Sequence, residues 1–98
     1  MITTLIVPNV NAFYHSQLEK RLCQQFGGFT ATLSQGGWQT LDGRVICEPV
    51  TIYTIAASAH DDHFCNDFRD LAREIARDLE QECVYLSFST DNAEFIAP

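Results

Sequence analysis

Residues 2–7, Ile-Thr-Thr-Leu-Ile-Val, are apolar or β-branched on both parities and stop at Pro8-Asn9. A strand without a polar face is covered on both sides, so this pattern predicts a central strand. From Asn11 to Phe26 the period lengthens, with Tyr14, Leu18, Leu22 and Phe26 recurring every fourth residue as one helical stripe. Asn9 or Asn11 suits the N-cap and Gly27-Gly28 the stop. Lys20 and Arg21 lie in the second half, where the helix dipole favours cations. His15, beside Ser16, is expected on the solvated side without a partner.

Residues 29–34 alternate, with Phe29, Ala31 and Leu33 on one face and Thr30, Thr32 and Ser34 on the other. This predicts a strand with one face on the core. A connection over Gly36–Gly43 follows, and Val-Ile-Cys-Glu-Pro-Val-Thr-Ile-Tyr-Thr-Ile-Ala-Ala then reads as a long strand. Pro49 cannot donate to a ladder, so an edge position or a bulge is expected there. Residues 59–82 give the second helix, with Phe64, Phe68, Leu71, Ala72, Ile75 and Leu79 as its stripe and Asp61 or Asp62 as N-cap. Asp70 with Arg73 and Glu74 with Arg77 stand at i, i+3 on its wet side. Cys83–Ser89 forms a further strand, and a turn at Asp91-Asn92 returns Glu94-Phe95-Ile96 as a short edge strand.

The order is β-α-β-β-α-β with a terminal strand added. Right-handed crossovers place both helices on one side of an antiparallel sheet, giving an α+β ferredoxin-like plait in a single domain, residues 1–98. Its other sheet face is left bare. That face is expected to carry Thr30, Thr32, Ser34, Tyr85 and Ser87, with Tyr53 or Thr54 from the third strand. Hydroxyls and aromatics suit either a homodimer interface or a small-molecule pocket.

Charge narrows the function classes. The formal net charge is −7; residues 1–60 balance three acids against three bases, and residues 61–98 hold ten acids against Arg69, Arg73 and Arg77. Such a surface repels phosphate backbones, so direct nucleic-acid binding is not expected. An acidic helix face at Asp70, Glu74 and Asp78 could instead dock a basic protein, as short phage- or plasmid-encoded counter-defence proteins do. The plainer reading of that face is a solvated surface. No run approaches the roughly 20 apolar residues that span a bilayer. The N-terminal run lacks a basic region and a cleavage site, so a cytosolic location is expected.

Chemistry-bearing residues are sparse. Four cysteines, Cys23, Cys47, Cys65 and Cys83, form no Cys-x-x-Cys pair and read as reduced, buried hydrophobes. His60, His63 and Cys65 are the only metal candidates, and Asp61-Asp62 between them reads as an ordinary helix start. No cofactor motif is recognised, and no nucleophile has both a base and an orienting group, so catalysis is not expected. The most specific stretch is Gln35–Val50. There Gly36-Gly37 are expected to turn the chain so that Trp38 folds over one end of the core, and Glu48 meets Arg44 or the indole N–H. The competing reading is a ligand pocket walled by Trp38 and Glu48.

These residues resemble a family of short bacterial proteins of unknown function, some described as lipoproteins. The family pattern is Gly-x-Thr, Gly-x-Trp, a Gly turn, a Glu and Gln-Glu-x-Val. Its counterparts are Gly28-Phe29-Thr30, Gly36-Gly37-Trp38, Asp42-Gly43-Arg44, Glu48 and Gln81-Glu82-Cys83-Val84. The resemblance covers residues 27–86 and departs at the N-terminus, where this chain has no lipoprotein signal. It implies the same fold and a joint role for Trp38 and Glu48, and carries no activity. The sequence thus points to a binding or interaction module that dimerises through its open sheet face. The alternatives are a ligand carrier or enzyme using the Trp38–Glu48 pocket, and an acidic inhibitor of a basic protein.

Overall fold

In a computed structural model, which describes residues 2–56, 62–89 and 93–98, the chain folds as β1 (Ile2–Pro8), α1 (Ala12–Phe26), β2 (Thr30–Gln39), β3 (Val45–Ala56), α2 (Asp62–Asp78), β4 (Val84–Phe88) and β5 (Ala93–Ile96). The strands form one antiparallel sheet in the order β2-β3-β1-β4-β5. The α+β class holds. The sheet has five strands rather than the plait's four, because residues 93–96 pair with β4. β1 is central, as its two apolar faces require.

One parity of each strand faces the helices. Leu5 pairs with Tyr53 on one side and Leu86 on the other, and all three are fully buried. They join Val7, Ile55, Val84 and Phe88 with Leu18, Leu22 and Phe26 of α1 and Phe68, Leu71, Ala72, Ile75 and Ala76 of α2 in a single core. Both helices therefore cover the same side of the sheet. Phe26 stacks on Phe68, ring centroids 4.0 Å apart, and locks the helices together.

Local chemistry sets the helix ends. Asn11 is extended, and its side chain accepts from the Tyr14 N–H at 3.0 Å. Gly27, at φ +93°, ends α1 in the left-handed region, with its N–H on the Cys23 carbonyl. At the end of α2 that left-handed position is held by Glu80, at φ +53°. The Gln81 N–H reaches Ala76 O and the Glu80 N–H reaches Arg77 O, the bond pair of a Schellman ending. Between the helices, Glu74 pairs with Arg21 rather than with Arg77, while Asp70 and Arg73 pair as the spacing predicts. Arg21 thus ties the two helices together.

The β2–β3 hairpin departs most from expectation. Residues 36–38 do not turn; they continue β2, and the chain reverses at Thr40–Gly43, where Gly43 N–H meets Thr40 O and Gly43 adopts φ +90°. The register runs without a bulge from Thr30–Thr54 to Gln39–Val45. Pro49 is accommodated because its own carbonyl accepts from Asn9 N–H, so its backbone polar side faces past the end of β1, where no strand needs its donor. Gly36 allows close packing instead of a turn. A Cβ there would stand 3.3 Å from a Val50 methyl, and Val50 is buried although it lies on the bare face.

Candidate functional site: the uncovered sheet face and its hairpin

Register assigns the second parity to the bare face. Thr4 lies between Thr54 and Ser87, Ile6 between Ile52 and Tyr85, and Thr30, Thr32 and Ser34 oppose Thr54, Ile52 and Val50. Thr30, Thr32, Tyr85 and Ser87 are thus brought onto one face. Tyr85 meets Phe95 edge-on at 5.5 Å. Ile2, Trp38, Ile46 and Phe95 are exposed large apolar residues of that face.

Trp38 opposes Ile46, and Glu48 is one pleat away opposite Gly36, so indole and carboxylate share the bare face. Trp38 does not seal the core: it is 54% exposed. The expectation fails because the glycines before it lie in the strand, which carries the indole out along the hairpin. Arg44 is not part of this pair. It holds Asp42 through Nε at 3.1 Å and, with Thr40, keeps the Asp42 carboxyl below the usual carboxylate range, the Thr40 hydroxyl acting most strongly. A shallow recess of about 210 Å³ is lined by Ser34, Gln35, Cys47, Glu48 and Pro49. That is smaller than the roughly 300–1,000 Å³ of a pocket that encloses a small molecule.

Tyr53 is not on the bare face. Its partner Leu5 points at the helices, and Tyr53 is fully buried. Its hydroxyl donates to Glu19 Oε2 at 2.7 Å and lies 2.6 Å from His15 Nδ1, while His15 Nε2 lies 2.9 Å from the Pro8 carbonyl. The rings of His15 and Tyr53 stack with centroids 5.8 Å apart. Burial, reinforced by the Glu19 carboxylate, pushes the Tyr53 phenol well above its ordinary range. His15, expected in solvent, is 8% exposed. The helical stripe runs through positions 15, 18, 22 and 26, one residue round from the Tyr14 reading. The spacing His15–Leu18 and His15–Glu19 was the available signal. Tyr53 thus links His15 to Glu19 in one buried cluster. It braces the base of the hairpin, where Thr51 Oγ1 donates to Asn9 Oδ1 at 2.5 Å and Asn9 N–H reaches Pro49 O.

The acidic helix face is engaged within the chain: Asp70 holds Arg73, Glu74 holds Arg21, and Asp78 accepts from the Tyr14 hydroxyl at 3.1 Å. The metal candidates His60 and the His63 side chain lie outside the described residues, and Cys65 is half-buried on α2. Among the described residues no group of three ligating side chains comes together. Cys23, Cys47 and Cys83 are exposed free thiols rather than core residues: Cys23 falls on the helix face turned from the core, Cys83 just before β4 on the parity opposite Val84, and Cys47 on the core-side parity of β3 but out along the hairpin, past the end of β1. Among those residues no helix is long and apolar enough to cross a membrane.

No protein-family model matches the chain. No curated protein matches it either. Among solved structures, it is similar to a phage SAM lyase in complex with S-methyl-5′-thioadenosine, with a TM-score of 0.80 at 11% identity over 99% of this chain and 88% of that one. At that identity the likeness is one of fold.

Proposed function

We propose that the protein is a self-associating binding module whose bare sheet face is the interface, with a small-molecule site beside Trp38 and Glu48 that a second copy completes. The observation that carries this reading is one face holding Trp38, Ile46, Glu48 and a row of hydroxyls, with no helix or strand over it among the described residues. Exposed apolar area of this kind on a small domain marks an interaction surface. The recess at Ser34 and Glu48 is too small and open to enclose a ligand alone, and a second chain would supply the missing wall. The ligand class is an adenosine thioether or sulfonium, supported by the molecule bound to the phage SAM lyase of like fold. Glu48 would accept from ribose hydroxyls and Trp38 would stack on the purine.

Trp38 is the chain's single tryptophan, so its fluorescence reports on this site alone. Titration with S-methyl-5′-thioadenosine should quench it in the wild type and leave Glu48→Gln unchanged, with sedimentation giving an assembly larger than one chain. An unaltered emission with both this thioether and S-adenosylmethionine rejects the ligand. A monomer at all concentrations rejects the interface.

A further inference from the structure

The outer edge of β2 has a definite hydrogen-bonding phase. The Thr40 N–H reaches Arg44 O at 2.8 Å, so even-numbered residues of β2 bond to even-numbered residues of β3. The Asn9 bond to Pro49 fixes the same phase from the other side, turning odd-numbered β3 residues toward β1. In an antiparallel ladder this leaves the N–H and C=O of Ala31, Leu33, Gln35, Gly37 and Gln39 directed outward, with no strand beside them among the described residues.

Among the described residues nothing guards that edge. The ten residues of β2 include no charge and no proline, the devices that ordinarily block strand addition. The opposite edge is guarded: β5 has four residues, and its Glu94 is gripped by Arg69 through two bonds of 2.9 Å. The hairpin also needs a third strand. β1 ends opposite Val50, so residues 35–39 and 45–49 stand as a two-stranded arm, exposing Trp38, Leu41 and Val45. Two-stranded ribbons are marginal in water on their own.

We propose that β2 pairs antiparallel with β2 of a second copy of this chain, joining two sheets edge to edge. Charge selects this occupant. Asp67, Asp70, Glu74 and Asp78 of α2 and Glu94 of β5 lie in the half of the fold holding α2, β4 and β5, while the β2–β3 hairpin with its turn carries only Asp42, Arg44 and Glu48. Joining through β2 keeps the two acidic halves at opposite ends. The antiparallel arrangement lays each arm against the body end of the partner's β2, giving each the third strand it lacks. Such a contact is two-fold and closes on itself. It differs in place from the face contact proposed above, and either can exist without the other.

Gln35→Pro removes one outward N–H without costing a β2–β3 bond, and Leu33→Lys places a charge at a side chain that is 79% exposed. In sedimentation equilibrium both variants should show half the wild-type mass with unchanged far-ultraviolet circular dichroism. Residue-resolved hydrogen exchange of the wild type should show the amides of residues 31, 33, 35, 37 and 39 slowed, and progressively released on dilution. A wild-type mass retained by both variants, or odd-numbered amides exchanging freely in the assembly, overturns edge pairing. If a charged substitution at Phe95 then halves the mass instead, the contact through the bare face stands alone.

Discussion

Replacing Tyr53 by phenylalanine removes one oxygen from the centre of the buried cluster and leaves the ring in place. Two contacts go with it, one to His15 at 2.6 Å and one to Glu19 at 2.7 Å. Glu19 is half-buried and can find water, whereas His15 at 8% exposure cannot. The cost is therefore mainly that of one buried polar group left without a partner, about 2 kcal/mol within the usual 1–3. For a chain of 98 residues, each kcal/mol moves the melting temperature by roughly 4–8 °C, so a fall of about 8–16 °C is expected in thermal denaturation. Tyr14→Phe is the internal control. Its hydroxyl bonds Asp78 at 3.1 Å at the surface, and its loss should cost under about 1 kcal/mol. Equal losses from the two variants would refute the assignment of Tyr53 as the buried bridge.

The same phenols set a pH limit. Burial comes first at both, followed by Glu19 at Tyr53 and by Asp78 at Tyr14, and each raises the folded phenol above its ordinary value. A raised phenol favours the protonated form in the fold. Its contribution is complete below the unfolded value of about 10 and is lost as pH rises beyond it. Wild-type stability should accordingly decline above that value, and a Tyr14→Phe, Tyr53→Phe double variant should decline less steeply in urea titrations.

Two further substitutions are expected to stabilise the protein. Glu80→Gly relieves a left-handed side chain at the end of α2 and should add about 1 kcal/mol in urea unfolding, with no change in fold. Thr3 is fully buried on the helix side of β1, and its hydroxyl finds no partner among the described residues. Thr3→Val should add about 1 kcal/mol, and a loss of similar size would show that the hydroxyl is satisfied in solution.

Where a single physical cause governs a segment, the sequence carries it plainly. The two-sided apolar run of β1 can only be central, and the stripe of α2 can only lie on the core. Where two causes give the same letters, it does not. Gly36-Gly37 serve a turn or a close strand contact equally well, and only the 3.3 Å approach to Val50 decides between them. Both parities of β3 are apolar, so Tyr53 and Thr54 exchange roles with a one-residue slip until Leu5 fixes the register. His15 is polar by composition and buried by position, because a histidine can spend both ring nitrogens on partners that only the fold supplies. The hairpin adds a different lesson. An uncharged strand means little as a string of letters, since a central strand looks the same. It becomes a docking edge only once the strand order places β2 outermost and the ladder's phase turns five of its residues outward. The chain can also tolerate that edge because the acids of α2 and β5 lie toward the far end of the sheet, so the charge that keeps the molecules apart there leaves this approach open.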